Sequence, residues 1–149
     1  MAKVHITTPI SEDQVRQIKA GDEVIISGEI YTARDAAHKR MVEDMQAGKP
    51  LPFDTQGAVI YYVGPTPPKP GQVIGSAGPT TSYRMDKYTN DMLKQGVKAV
   101  IGKGYRGDEV KAGFVQYGGI YLVSTGGAGA LLARTIEAAE VVAYEDLGA

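Results

Sequence analysis

Three positively charged side chains follow three separate strand-like segments of this 149-residue sequence. Arg34 comes shortly after "EIYT", Arg84 follows "GQVIGSAGPTTSY", and Lys103 follows "KAVIG". Thr80 precedes Arg84 by four positions and adds a hydroxyl group. Because ligands bind at the ends of strands in open α/β sheets, we expect these groups to converge on one ligand. Three cations with neighbouring hydroxyls suit a small molecule that carries two carboxylates.

The backbone around these residues also favours an anion. Glycines near each cation let the main chain approach a ligand closely. A helix that starts there leaves its first N–H groups free and carries about half a positive charge. On a helical path from Thr80, Arg84 returns to the same side, so the two side chains can address one ligand. A well-placed charge-assisted hydrogen bond contributes roughly 1.5–3 kcal/mol.

Each of these residues also has a purely structural interpretation. Arg34 stands beside Asp35 and could simply form an ion pair with it. The "GPTTS" segment could be a tight turn that ends in a helix cap, and Lys103 between two glycines could be an exposed turn. His38, one helical turn after Arg34, is interpreted as a packing residue. A purely structural role does not explain why three cations occupy the ends of three separate strands.

Short β-branched segments alternate with helical segments along the chain, which predicts one α/β domain over residues 1–149. The segments predicted as strands are "KVHITTPI", "DEVIISGEIYT", "GAVIYYVG", "GQVIGSAG", "VKAVIGKG", "GGIYLVST" and "EVVAYE". The segments predicted as helices are 11–22, 33–50, 82–96 and 129–140. The excess of strands favours a layered β/β/α arrangement with a mixed sheet and with helices covering one sheet only.

The composition narrows the chemistry that this chain can perform. It contains no cysteine, which excludes a disulfide, a thiolate nucleophile and a cysteine-held cluster within the chain. Its two histidines lie far apart, so we expect no metal site. A net charge of −1 gives no general attraction to nucleic acid or anionic membranes. With no apolar run near the ~18 residues of a membrane span and no signal-like N-terminus, we expect a cytoplasmic protein.

Three longer motifs carry a specific resemblance. The segments "SGEIYTARDAAHKRM", "GPTTSYRMDKYT" and "GVKAVIGKG" resemble the C-terminal domain, or separate β subunit, of the class I iron–sulfur hydro-lyases. This family includes class I fumarase and L(+)-tartrate dehydratase. The resemblance spans roughly Ser27 to Ala143, and the motifs stand in the expected order.

The resemblance implies a swivelling β/β/α domain that works beside an α subunit. In the family, three cysteines of the α part hold a 4Fe–4S cluster with one open iron, which acts as a Lewis acid on the substrate. The resemblance assigns substrate binding to Arg34, Thr80, Arg84 and Lys103. Thr80 is then the proton-transferring group, and its hydroxyl needs an activating neighbour, either Lys103 or a group from the partner chain.

The resemblance therefore predicts the β subunit of a class I fumarate hydratase, which catalyses reversible hydration of fumarate to malate with its α subunit. It also implies a β homodimer within a larger assembly. Family members often continue past their last strand, whereas this chain stops at Ala149, so we expect a shortened or truncated form. Three alternatives remain: an L(+)-tartrate dehydratase β subunit, a non-catalytic domain that binds a small anion, and a purely structural role.

Overall fold

The computed structural model describes residues 3–63, 70 and 82–123. The strands are β1 (Lys3–Thr7), β2 (Glu23–Ser27), β3 (Tyr31–Thr32), β4 (Val59–Tyr61), β5 (Ala99–Gly102) and β6 (Ile120–Val123). The α-helices are α1 (Glu12–Arg16), α2 (Asp35–Gln46), α3 (Asp86–Lys94) and α4 (Asp108–Tyr117), and a 3₁₀ turn (Ser82–Met85) leads directly into α3. None of the helices within these residues is long and apolar enough to cross a bilayer.

The described strands form two sheets. Strands β1 and β2 form a parallel pair, and the second sheet has the order β3-β4-β5-β6 with every pairing parallel. The segment predicted as one strand over 22–32 is divided at Gly28, whose φ is +106°, so β2 and β3 belong to different sheets. A Cβ at Gly28 would collide with the hydroxyl of Thr8, so the close approach of β1's end also requires glycine.

Successive residues of the central strands β4 and β5 face opposite sides of the sheet, which produces three layers. In β4, Val59 packs into a cluster shared with β1 and β2, whereas Ile60 packs into a cluster shared with α2, α3 and α4. In β5, Ala99 faces the first cluster and Val100 the second. A strand buried on both faces in this way needs apolar residues at successive positions. The result is a β/β/α arrangement with α2–α4 on one face of the four-stranded sheet, and the α/β layout expected from the sequence is confirmed.

Two local helix signals are confirmed, but the predicted helix over 11–22 is too long, because α1 ends at Arg16. Ser11 caps α1, since its Oγ accepts a hydrogen bond from Gln14 N at 3.2 Å. Helix α2 ends before Gly48, whose φ of +75° is the left-handed conformation expected there. The predicted strands over 71–78 and 140–145, the predicted helix over 129–140 and most of the proline-rich 64–72 loop lie outside the described residues.

Helix α4 is an addition to the sequence prediction. Its segment contains Gly113 and two valines, which lower helix propensity and obscure the pattern. Packing explains why it is helical. Val110 and Phe114, one turn apart, are buried against the four-stranded sheet, and a Cβ at Gly113 would collide with Asn90 of α3. Tertiary contacts here override a weak local preference.

Candidate anion site at the strand ends

The first two predicted cations, Arg34 and Arg84, lie near one carboxylate. Arg34 is the residue immediately before α2, and its backbone is extended there. Arg84 belongs to the 3₁₀ turn that precedes α3, and its Nη2 donates a hydrogen bond to Asp35 Oδ2 at 2.5 Å. The side chains of Arg84 and Asp35 are 57% and 36% exposed, so this ion pair remains open to a ligand. The partner of Asp35 is therefore Arg84, and not its sequence neighbour.

The pKa of the Asp35 carboxyl reports the field of both arginines. Partial burial raises this pKa, but the hydrogen bond from Arg84, a backbone hydrogen bond and the charges of Arg84 and Arg34 together lower it below the ordinary value. Both guanidinium groups therefore act on the same carboxylate. An incoming carboxylate would meet these two charges together with the negative charge of Asp35, which already holds one Nη2 donor of Arg84.

Lys103 lies in the adjoining loop. It follows β5, and its carbonyl oxygen accepts a hydrogen bond from Ser82 N at 3.0 Å. Ser82 begins the 3₁₀ turn that carries Arg84, so the backbone connects the two predicted cation segments directly. The side chain of Lys103 is half-buried. Thr80 lies outside the described residues, and its predicted position beside Arg84 stays a prediction.

Two lysines that sequence reasoning missed enlarge the positive surface. An open cleft of about 370 Å³ is lined by Asp35, Ala36, Lys39, Arg84, Lys87 and Tyr88. Lys39 projects from α2 and Lys87 from α3, and Lys87 Nζ lies 5.2 Å from the ring centroid of Tyr88. The helical spacing of Lys39 from Asp35, one turn, was the available signal. Three cations and one carboxylate thus surround a space large enough for a small acid.

His38 fixes the backbone at the start of α2. It is 1% exposed, and its Nδ1 donates a hydrogen bond to the carbonyl oxygen of Arg34 at 2.8 Å. Burial lowers the pKa of His38 to about 4, aided by the charge of Arg106 and opposed by the Arg34 carbonyl and Asp35. The imidazole is therefore neutral near pH 7. The interpretation of His38 as a packing residue is confirmed, because its ring packs against Tyr62 and Tyr88.

A buried arginine that contacts α3 was also missed from the sequence. The side chain of Arg106 is 2% exposed, and its Nε donates to Asp86 Oδ1 at 2.6 Å. Its Nη2 donates to Thr89 Oγ1 at 2.5 Å, and the other oxygen of Asp86 accepts from Gly107 N at 2.7 Å. The charge is thus paired and hydrogen-bonded, as a buried guanidinium must be. No sequence motif marks this pair, since its members lie 20 positions apart.

The hydroxyl group of Tyr121 connects the segment that carries Arg84 to the segment that carries Lys103. Tyr121 of β6 places its hydroxyl oxygen 2.8 Å from Ser82 Oγ and 2.8 Å from the carbonyl oxygen of Gly104. Ser82 is two positions before Arg84, and Gly104 directly follows Lys103. The ring of Tyr121 lies under Arg106, with 5.0 Å between the guanidinium carbon and the ring centroid.

These side chains can bind an anion but supply no ligands for an iron–sulfur cluster. The chain has no cysteine, and no group of three histidine or acidic residues at metal-binding distance exists among the residues described. A site rich in arginine and lysine favours carboxylates over metal cations.

A search against models of known families matches the fumarase C-terminus family over residues 1–149. The chain belongs to the fumarase C-terminus family. Among its curated relatives, a "Putative fumarate hydratase class I" of Geobacillus stearothermophilus is 39% identical over 97% of this chain. The "L(+)-tartrate dehydratase subunit beta" of Escherichia coli K12 is 34% identical over 96% of this chain. The chain covers 28% of the first relative's length and 71% of the second's. The resemblance identified from the motifs is thereby confirmed.

Proposed function

We propose that this chain is the β subunit of a class I fumarate hydratase, a hydro-lyase that interconverts fumarate and malate together with an α subunit. The observation that carries the proposal is the ion pair of Arg84 with Asp35, the sequence neighbour of Arg34, with the Lys103 loop bonded to the Arg84 turn through Ser82. Family membership supports a hydro-lyase subunit. The 4Fe–4S cluster of such an enzyme would belong to the α subunit, because this chain has no cysteine.

In this proposal the cations bind and orient a four-carbon dicarboxylate. Arg84 offers a planar donor fork that suits a carboxylate, and Asp35 uses one Nη2 donor of that fork. Arg34 and Lys103 add positive charge from the neighbouring segments. Removal of the proton next to a carboxylate builds negative charge on that carboxylate. Fixed cations stabilise this charge more in the transition state than in the ground state, which accelerates the reaction.

Thr80 is the proposed proton-transferring group. A threonine hydroxyl is a weak base at neutral pH, so it needs a neighbour that stabilises its deprotonated form. Lys103 is the proposed neighbour from this chain. The assignment of Thr80 and Lys103 rests on the family motif and on the position of Lys103 in a loop bonded to Ser82, two residues after Thr80.

L(+)-tartrate is the second candidate substrate. The observation in its favour is that the tartrate dehydratase β subunit of Escherichia coli K12 aligns with 96% of this chain and over 71% of its own length. Fumarate, malate and tartrate are all four-carbon dicarboxylates. The described cations recognise their shared carboxylates and leave the choice among them to other contacts.

Co-expression with a cysteine-bearing α subunit, followed by anaerobic assay with fumarate, malate and L(+)-tartrate, tests the proposal. We expect the complex to hydrate fumarate and to show much lower kcat/KM with tartrate. The converse preference would assign the chain to the tartrate enzyme. A stable complex that turns over none of the three acids would contradict a hydro-lyase role. The proposed β homodimer within an α₂β₂ assembly is checked by the mass of the purified complex.

A further inference from the structure

We infer that Tyr121 is a positioning residue whose hydroxyl holds the Lys103 loop against the Arg84 turn, with Arg106 fixing the Tyr121 ring from behind. This inference rests on the function proposed above, because it concerns how the two cations are set for one dicarboxylate. It adds to the family motif a residue of β6, a strand that none of the three motifs includes.

The Lys103 loop and the Arg84 turn are joined at three successive places. At the start, Ser82 N donates to the carbonyl oxygen of Lys103 at 3.0 Å. At the end, Asp86 accepts hydrogen bonds from Arg106 and from Gly107 N. Backbone and buried charge therefore fix the two extremities of the contact.

Tyr121 supplies the third connection, which joins Ser82 to Gly104. Its hydroxyl lies 2.8 Å from both Ser82 Oγ and the Gly104 carbonyl, and that carbonyl can only accept. The tyrosine proton is thus directed to Gly104, which leaves the phenol oxygen to accept from Ser82. Burial raises the pKa of Tyr121, so the donor is retained at neutral pH.

Arg106 explains why this hydroxyl is held in place. The guanidinium carbon lies 5.0 Å from the centroid of the Tyr121 ring, and Phe114 stacks near the same ring at 6.2 Å. Arg106 is itself fixed by Asp86 and Thr89. The ring therefore contacts two buried neighbours, which limits the freedom of the hydroxyl to leave the two segments that it bridges.

The position of the Lys103 loop matters because a four-carbon diacid has a fixed span between its carboxylates. A displacement of about 1 Å in a positioning group can cost on the order of 10²-fold in rate. Loss of the hydroxyl bridge frees Gly104, the neighbour of Lys103, while the sheet and the helices keep their contacts. We therefore expect a defect in catalysis that is larger than the defect in stability.

The test compares Tyr121→Phe with Tyr117→Phe in the assembled α/β enzyme. Tyr117 is the last residue of α4, and its carbonyl oxygen accepts a hydrogen bond from Lys98. Lys98 precedes β5 and Lys103 follows it, so Tyr117 lies at the opposite end of this strand from the Lys103 loop. We expect Tyr121→Phe to lower kcat/KM for fumarate at least ~10-fold and Tyr117→Phe to change it less than ~2-fold. Equal effects of the two variants would overturn the inference.

A double-mutant cycle with Lys103→Ala distinguishes positioning from general packing. If Tyr121 acts through the Lys103 loop, Tyr121→Phe should change kcat/KM less than ~2-fold once Lys103 is alanine. A merely structural tyrosine would cost the same factor in both backgrounds. Additive losses would therefore contradict the inference even if each single variant is slow.

Amide hydrogen exchange of the full chain gives a readout that needs no activity. We expect the Ser82 amide, which donates to Lys103, to exchange at least ~10-fold faster in Tyr121→Phe and unchanged in Tyr117→Phe. If the wild-type complex turns over no dicarboxylate while this difference appears, the proposed function fails and the structural bridge stands. Unchanged exchange at Ser82 would overturn the bridge itself.

Discussion

Arg84 Nη2 lies 2.5 Å from Asp35 Oδ2, and the two residues are separated by 49 positions in the sequence. The pair connects the turn before α3 to the first residue of α2 at the edge of the sheet where β3 and β5 end. Exposed pairs of this kind contribute little to stability, about 0–1 kcal/mol. Their value here is orientation, since Asp35 holds one Nη2 donor of the guanidinium while the Arg84 side chain stays 57% exposed.

Arg84→Ala should lower kcat/KM for the dicarboxylate by at least ~10²-fold in the assembled enzyme, the scale of losing a well-placed charged contact. Arg84→Lys should also be impaired, because an ammonium cannot replace a planar fork at a carboxylate. Arg16→Ala is the matched control, since Arg16 is an exposed arginine of α1 paired with Glu12. Steady-state kinetics measure all three, and near-normal kcat/KM in Arg84→Ala would remove Arg84 from the site.

His38 should make the free energy of unfolding depend on pH. Its folded pKa of about 4 lies below the usual value of 6.5, so its contribution is complete above pH 6.5 and is lost as the pH falls toward 4. The full loss is on the order of 3 kcal/mol. In His38→Phe, which keeps a ring beside Tyr62, urea unfolding at several pH values should show a flatter dependence across this window.

His5→Phe is the control for this measurement, because His5 is exposed on β1. It should retain the wild-type dependence on pH. Identical slopes in His38→Phe and the wild type would mean that the buried imidazole accepts a proton in the folded state without cost.

Gly102→Ala should displace the Lys103 loop. A Cβ at Gly102 would collide with Ser82 Oγ and lie 3.0 Å from the Tyr62 ring. We expect a loss of about 1–3 kcal/mol in the free energy of unfolding, as for other over-packed sites. Adding Ser82→Ala removes the colliding oxygen and should restore part of that loss in chemical denaturation. If the double variant is no more stable than Gly102→Ala, the predicted collision is not the cause.

Asp86→Ala should be strongly destabilising, by about 3 kcal/mol, because it leaves the buried Arg106 charge without its carboxylate. Glu43→Ala is the comparison, since it breaks an exposed pair with Lys39 that is 3.9 Å long, and should cost less than about 0.5 kcal/mol. The urea unfolding midpoints of both variants measure these two losses of stability. Similar costs for the two would show that burial does not set the strength of the Asp86–Arg106 pair.

The sequence predicted the elements with strong local signals and the charges at their ends. Capping at Ser11 and the end of α2 before Gly48 follow from local rules. The break at Gly28 was not predicted, because its apolar flanks read as one continuous strand. Only the tertiary structure shows that the flanks serve different sheets.

The buried polar groups lie beyond sequence reasoning for a different reason. Arg106 resembles any solvated arginine of a glycine-rich turn until Asp86 and Thr89 are seen beside it. Tyr121 resembles an ordinary strand tyrosine until its hydroxyl is placed between two loops. Such roles depend on contacts between residues far apart in the chain, and no local pattern encodes them.

The parallel pairing of every described strand has a kinetic consequence. Partners in these ladders stand about 20 to 40 positions apart, as in Lys3 with Glu23 and Val59 with Ala99. No two-residue hairpin can nucleate such a sheet. The chain must therefore lose the entropy of closing long loops before the contacts between strands stabilise it. We expect this chain to refold slowly for its size, and stopped-flow refolding would measure the rate.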